Sequence, residues 1–270
     1  MSLLKGASIK VENLLLKPYT LSEIEEYGYS KYMQNLRWMF ISVEDFITSF
    51  NDMGKSNILK KNKDNLKAFD FYYKLGGNET LMMLISSIKM LFRTEDVIIL
   101  DGGIVAINFE KKGIVKRDEK GSINVDSEIL ESYNTDELEI VHRDNFDDIV
   151  EVVKLQNYIT KPQKDAKANP ADERAEELLR QMEENRKKVE AKKNVNKSNS
   201  DNDNVDISTI ISAVSSKSHS INKLNIWDFT IYQLYDEYSR LELIDGYNFS
   251  IKAMMAGAGK VDLKHWSSKI

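Results

Sequence analysis

The three histidines are the first side chains to consider for metal or acid–base chemistry, because the chain contains no cysteine. Without cysteine there can be no disulfide, no thiolate metal site and no cysteine nucleophile. His142, His219 and His265 lie far apart in the sequence, and none belongs to an H-E-x-x-H or H-x₃₋₅-H pair. Each histidine is therefore predicted to lie at the surface or to make a local hydrogen bond, and no metal site is expected.

Two short stretches partly match the sequence patterns of ligand-binding loops. Residues 255–260 read M-A-G-A-G-K, but a Walker phosphate loop needs a preceding strand and a Ser or Thr after the lysine, where this chain has Val261. Residues 201–206 read D-N-D-N-V-D, but an EF-hand loop needs Gly at its sixth and Glu at its twelfth position, where this chain has Asp206 and Ser212. We expect a helix end and a turn in the first stretch and no more than adventitious cation binding in the second.

An acidic cluster near residue 147 is the remaining candidate for acid–base work. Paired carboxylates can act as general acid and base. The cluster consists of Asp144, Asp147, Asp148 and Glu151. Solvated helix faces carry such clusters far more often than active sites do, and no other residue type converges on this one. We therefore predict that the protein is not an enzyme and binds no cofactor.

Charge and hydropathy exclude two classes of partner. With 38 basic and 43 acidic residues, the formal net charge is −5, which argues against nucleic acid as the main partner. The densest apolar stretch, residues 81–92, contains Ser86, Ser87 and Lys89 and is shorter than the roughly 18 to 20 apolar residues of a membrane span. No targeting segment is evident near Met1. We expect a soluble, intracellular protein without a membrane or nucleic-acid partner.

The distribution of aromatic residues predicts how the chain divides. No Phe, Tyr or Trp stands between Tyr158 and Trp227, and residues 164–204 hold 10 basic and 10 acidic side chains. Such a segment has little to bury. The sequence thus predicts a domain over 1–163, a charged spacer over 164–204 and a small domain over 205–270. Within the spacer we expect one charged helix, starting at Asn169-Pro170, and then a flexible polar tether.

The first domain is predicted to be mainly helical, with α+β character from a small β-hairpin near residues 97–109. A strand or hairpin edge is expected over 9–16, and a T-x-x-E capping box at Thr20 and Glu23 starts a helix. Asn78 and Asp144 are expected to cap later helices. The further helices are predicted over 30–40, 43–53, 64–75, 79–93 and 144–158.

The last domain is predicted to hold three helices. Apolar residues at helical spacing follow Asp206, which can cap the first helix. A longer helix is expected over 224–244, ended by Asp245-Gly246, and a third helix over 247–256. The fold class as a whole is therefore mainly α.

Five aromatic residues cluster at the start of the predicted long helix and are the candidate partner-binding residues. Their spacing places them on more than one side of that helix, so some belong to the core while one or two can form an exposed recognition patch. They are Trp227, Phe229, Tyr232, Tyr235 and Tyr238.

Both ends of the chain resemble proteins of bacteriophage and prophage tail-morphogenesis modules from Gram-positive hosts. The residues that carry the resemblance are DISTIISAVSSKSHSINKLNIWDFTIYQLYDEYSRLELID at 206–245 and I-K-V-x-x-L…K-P-Y-T-L-S-E-I-E-E-Y-G-Y-S-K-Y at 9–32. The resemblance implies a tail assembly chaperone-like protein in the cytoplasm of the bacterial host. It implies the tape measure protein, the tail tube protein or both as partners.

A second interpretation of the resemblance is a structural tail or baseplate component that remains in the virion. An assembly factor should be missing from purified particles, whereas a structural component should be present in them. An enzyme is the third interpretation, and it has no candidate site.

Overall fold

The computed structural model describes residues 1–49, 59, 65–100, 102–118, 123–159, 206–257 and 263–268. The described fold is helix-rich with small antiparallel sheets, which confirms the mainly α prediction at this level. The predicted spacer helix and tether lie outside the described residues, and the division of the chain into domains stays a prediction.

Ten α-helices are assigned in the described residues, and three short 3₁₀ or π turns accompany them. The α-helices are α1 (Ser2–Lys5), α2 (Leu21–Tyr27), α3 (Tyr29–Met39), α4 (Val43–Ser49), α5 (Ala68–Asp70), α6 (Gly77–Phe92), α7 (Ser127–Ser132), α8 (Phe146–Gln156), α9 (Ile207–Lys217) and α10 (Ile231–Met255). The 3₁₀ turns are Thr135–Glu137 and Ile226–Asp228, and the π-helical turn is Phe71–Leu75.

The strands form three small antiparallel sheets. The strands are β1 (Ile9–Val11), β2 (Leu14–Leu16), β3 (Val97–Leu100), β4 (Ile104–Ile107), β5 (Val115–Arg117), β6 (Ile123–Val125) and β7 (Ile140–Val141). β1 pairs with β2, β4 lies between β3 and β7, and β5 pairs with β6. The hairpin expected near 97–109 is thus present, and Gly102 and Gly103 turn it with φ of 84° and 81°.

One hydrophobic core joins the described residues from both ends of the chain. Leu14, Leu36 and Ile149 from the first part share this core with Ile226 and Leu234 from the last part. The contact includes backbone, since the Leu21 N–H donates to the Phe229 carbonyl at 2.8 Å and Thr20 forms a β-bridge with Thr230. The last part of the chain therefore packs directly onto α2, and α10 also contacts α1 and α8.

Some of the predicted helix caps are confirmed, and others are wrong. The Thr20 and Glu23 capping box is confirmed, as is Asp206, whose carboxylate accepts from the Thr209 N–H at 2.7 Å. Asn78 does not cap α6, because the helix already begins at Gly77. Asp144 does not cap α8, because Asn145 takes the N-cap position and the Asp144 carboxylate accepts from Lys67 instead.

Two helices of the first part differ from the prediction. The helix expected over 64–75 is divided into α5 and a π-helical turn, which ends before Gly76. Of the helix expected over 43–53, α4 covers Val43–Ser49, and the rest lies outside the described residues.

The three-helix prediction for the last part is wrong, because α10 runs without a break through Asp245-Gly246. Glycine inside an exposed helix costs only about 1 kcal/mol relative to alanine, and the good helix formers Leu241, Glu242 and Leu243 precede it here. An ion pair from Lys217 to Asp245 ties α9 to this part of α10. The long helix also starts later than expected, because a capping box at Thr230 and Gln233 sets its first turn.

Candidate functional site

The five aromatic residues singled out in the sequence lie mainly against the body of the molecule. Phe229, Tyr235 and Tyr238 pack partly on the main core. Tyr232 is half-buried, with its ring centroid 5.5 Å from that of Tyr158. Trp227 is 39% exposed, and its indole N–H donates to the Lys223 carbonyl at 3.0 Å. Four of the five rings are therefore committed to contacts within the chain, at least on one face.

Tyr158 contacts the first turns of α10 through its ring and its hydroxyl. Its ring stacks on Tyr235 at 5.4 Å with an interplanar angle of 12°, and its hydroxyl lies 3.3 Å from the Ser239 Oγ. Its φ of 56° is left-handed, a conformation that non-glycine residues seldom adopt. Burial raises the pKa of both Tyr232 and Tyr235, so these rings stay neutral in the contact.

The C-terminal part of α10 extends beyond the main core. We call residues 242–255 the distal half of α10. It begins after Leu241, the last residue of the helix that packs on the main core. Phe249 is 74% exposed and Met255 is 84% exposed, and Met254 is exposed as well. A helix 25 residues long spans about 37 Å, so the distal half has room to form a surface of its own.

Apolar residues occur on more than one side of the distal half. Ile244, Tyr247, Ile251 and Met254 follow at spacings of three, four and three, which places them on one stripe. At about 100° per residue, Phe249 lies on the opposite side. Phe249, Met254 and Met255 are exposed, and exposed large apolar side chains grouped on one helix are typical of an interaction surface.

The segment 263–268 lies beside the distal half. The Arg240 guanidinium donates to the Trp266 carbonyl at 2.8 Å and to the Ser268 carbonyl at 3.0 Å. The His265 ring meets the Tyr247 ring edge-on at 5.3 Å, while Trp266 itself stays exposed. A groove of about 430 Å³ lies between helix and segment. It is lined by Ser239, Glu242, Leu243, Gly246, Tyr247, Ser250 and Lys264.

Charge is sparse along this surface. Glu242, Asp245 and Lys252 are the charged residues of the distal half, and Asp245 already pairs with Lys217. Desolvating the surface on contact with an apolar partner therefore costs little, because few ionic groups must leave water. The sequence prediction missed the surface because it ended the long helix at Asp245-Gly246.

Other chemistry finds no support among the described residues. They hold no group of three or more His, Asp or Glu side chains that could bind a metal ion. In the acidic cluster, Asp144 pairs with Lys67 at 2.6 Å, and burial raises the pKa of Asp147. No described helix is long and apolar enough to cross a membrane. Residues 201–205 of the EF-hand-like stretch and residues 258–260 of the Walker-like stretch lie outside the described residues.

The histidines are separate from one another in the described structure. The His142 Nε2 lies 3.3 Å from a Glu12 carboxylate oxygen, His265 lies 2.7 Å from the Ser267 Oγ, and His219 is exposed. The described structure thus agrees with the surface or local hydrogen-bonding roles expected for them.

A comparison with models of known protein families matches the last part of the chain. Residues 196–270 match the family model described as the YomV second domain. YomV is a Bacillus phage or prophage protein. The match suggests a phage-related protein. No curated protein and no solved structure matches the chain.

The YomV-like segment contains the whole candidate surface. Within it lie α9, α10 and the residues 263–268. The contacts of Tyr232 and Tyr235 with Tyr158 therefore join the YomV-like segment to the end of α8 in the first part of the chain.

Proposed function

We propose that the protein is a non-enzymatic phage tail assembly factor, similar to tail assembly chaperones. It acts in the bacterial cytoplasm and binds the tape measure protein, the tail tube protein or both. The similarity of residues 196–270 to the YomV second domain supports a phage context. The resemblance of residues 9–32 and 206–245 to tail-module proteins supports the narrower role.

The observation that carries the proposal is the exposed distal half of α10. Its first turns are fixed by buried Ile231 and Leu234, so the exposed turns extend from a rigid base. Phe249 offers a large apolar ring, and Met254 and Met255 offer flexible, polarisable side chains that adapt to irregular surfaces. These features fit a surface that holds apolar helices of a partner.

The chemistry of such a partner follows from the surface. An apolar helix can lay one face against the distal half and remove both from water, at roughly 25 cal/mol per Å² of apolar area. A long helical protein such as a tape measure, which would otherwise aggregate, gains protection from this contact. The sparse charge of the surface means that this binding should depend little on salt.

Co-purification from phage-producing cells tests the proposal. The affinity-tagged chain is compared with a Phe249→Glu/Met255→Glu variant and with a Leu15→Glu/Leu224→Glu control, which places the same charges on other exposed apolar residues. We expect the wild type and the control to retain the tape measure or tube protein and the first variant to lose it. Recovery of neither partner with the wild type would contradict the proposal.

Purified particles provide the second arm of the experiment. An assembly factor is absent from mature virions, so mass spectrometry of purified phage should not detect the chain. Its presence at a fixed ratio to tail proteins would instead show a structural tail or baseplate component.

A further inference from the structure

A second groove lies in the first part of the chain, between the start of α3 and the exposed side of α6. Its volume is about 500 Å³. Tyr19 and Met90 form its buried floor, and Ile85 is half-buried within it. Met82 stands exposed at one end. The groove is therefore apolar along its base.

Basic side chains gather at the other end of this groove. Lys31, Lys89 and Arg93 line it, and Glu95 is the one acidic residue among the described residues of the lining. Lys31 makes no ion pair with another described residue, and its Nζ lies 4.6 Å from the centroid of the Tyr27 ring. The basic excess contrasts with residues 1–163 as a whole, which hold 21 basic and 26 acidic residues.

Arg93 is held in place within the groove. Its guanidinium lies 3.8 Å from the centroid of the Tyr19 ring and donates to the carbonyls of Lys17 and Pro18, each at 3.1 Å. A further bond to Glu23 at 3.1 Å completes its contacts. Arg93 is thus a fixed wall of the groove, whereas the exposed Lys31 can reach a ligand directly and the half-buried Lys89 can do so when its bond to Glu95 is released.

The effect of the lysines is visible on Glu95. Its carboxylate accepts from the Lys89 Nζ at 2.9 Å, and this bond, with the charges of Lys89 and Lys31, lowers its pKa. The carboxylate is almost fully exposed, so it can move aside and leave both ammonium groups to another acid. The end of the groove therefore favours negative charge.

We propose that this groove binds an acidic amphipathic helix of a partner protein. The groove wall runs from Met82 to Arg93 along α6, a distance of about 16 Å, which matches three turns of a helix. Apolar side chains of the partner cover Ile85 and Met82, and its carboxylates meet Lys31 and Lys89. Charge complementarity carries the assignment, and it is independent of the surface on α10.

Fluorescence anisotropy with two synthetic peptides tests this inference. The first probe is a labelled amphipathic helix of leucine and glutamate, and the second has lysine in place of each glutamate. We expect the full-length chain to bind the acidic probe and not the basic one, with affinity that falls as salt rises. A Lys31→Glu/Lys89→Glu variant should bind the acidic probe at least about tenfold more weakly.

Two control variants carry matched changes away from the groove. A Lys10→Glu/Lys223→Glu variant makes the same charge change at exposed sites elsewhere, and Phe249→Glu/Met255→Glu alters only the α10 surface. Both should bind the acidic probe as the wild type does. Circular dichroism verifies that every variant is folded.

Four outcomes would overturn the inference. The first is equal binding of both peptides or no binding of either, and the second is equal binding by the groove variant and the wild type. The third is displacement of the acidic probe by inorganic phosphate at low concentration, which would reduce the groove to a simple anion site. The fourth is a dimer that light scattering detects for the wild type and not for the Lys31→Glu/Lys89→Glu variant. That result would make a second copy of the chain the occupant of the groove.

Discussion

The ring of Tyr158 stacks on the ring of Tyr235, with centroids 5.4 Å apart and planes inclined by 12°. This contact joins the end of α8 to the first turns of α10. It fixes the base of the helix whose distal half forms the candidate partner surface. The contact between Tyr158 and Tyr235 must therefore be stable for the helix to present that surface.

Removing either ring should weaken this contact. Tyr235→Ala is expected to lower the free energy of unfolding by about 2 kcal/mol, less than for a fully buried aromatic because Tyr235 is half-buried. Urea denaturation measures the change. In a double-mutant cycle with Tyr158→Ala, the coupling should be about 1 kcal/mol. A coupling near zero would show that the two rings do not stabilise each other.

Gly246 provides a test of the continuous helix. A Cβ added at this position meets nothing within 4 Å, and the backbone is helical, so Gly246→Ala should stabilise the fold by about 0.5 to 1 kcal/mol. Thermal denaturation with far-UV circular dichroism measures both stability and helix content. If the helix ended at Asp245-Gly246, alanine would bring no gain of this kind.

Gly103 is the matched contrast. Its φ is +81°, and an added Cβ would lie 2.8 Å from the Tyr73 ring. Gly103→Ala should therefore lower the free energy of unfolding by more than about 1 kcal/mol, measured in the same denaturation experiment. A stabilising effect here would contradict the left-handed turn of the β3–β4 hairpin.

A buried carboxylate, paired with an arginine, gives the fold a pH dependence. The Arg143 Nε donates to both oxygens of Asp70 at 3.0 Å. Burial alone would raise the pKa of Asp70, but the Lys67 N–H and Arg143 more than offset it, and the pKa is lowered. Because the folded pKa lies below the unfolded value of about 3.9, the stabilisation is present above that value and is lost as pH falls through the folded pKa.

The matching variant is Asp70→Asn. It should be less stable than the wild type by about 2 kcal/mol near neutral pH, since it loses the charge-assisted hydrogen bonds. As pH falls below about 4, the difference should shrink, because the wild-type carboxyl becomes protonated too. Urea titrations across this range measure it. A difference that is constant with pH would exclude Asp70 as the titrating group.

Local features of the fold could be predicted from the sequence, because each depends on neighbouring residues. The Thr20 and Asp206 caps and the β3–β4 hairpin are set by side-chain hydrogen bonds and turn glycines within a few positions. The continuation of α10 through Gly246 could not be predicted, since a glycine penalty of about 1 kcal/mol is outweighed by the surrounding helix.

Contacts between distant segments account for the rest of what was missed. Tyr158 and Tyr235 are far apart in sequence, and no periodicity shows that their rings stack. The same holds for Lys31 and Lys89, which lie on different helices and share a groove only after folding. The aromatic cluster was recognised from spacing alone, but its contacts with Tyr158 and the core required the tertiary structure.

Hydrogen–deuterium exchange of the chain, alone and in complex with co-purified tape measure or tube protein, tests the central claim most directly. In the free chain, amides of residues 242–255 should exchange faster than those of the buried first turns of α10. Binding should slow exchange over 242–255 and leave α8 unchanged. A complex that protects other regions and leaves 242–255 as exposed as before would contradict the assignment of this surface.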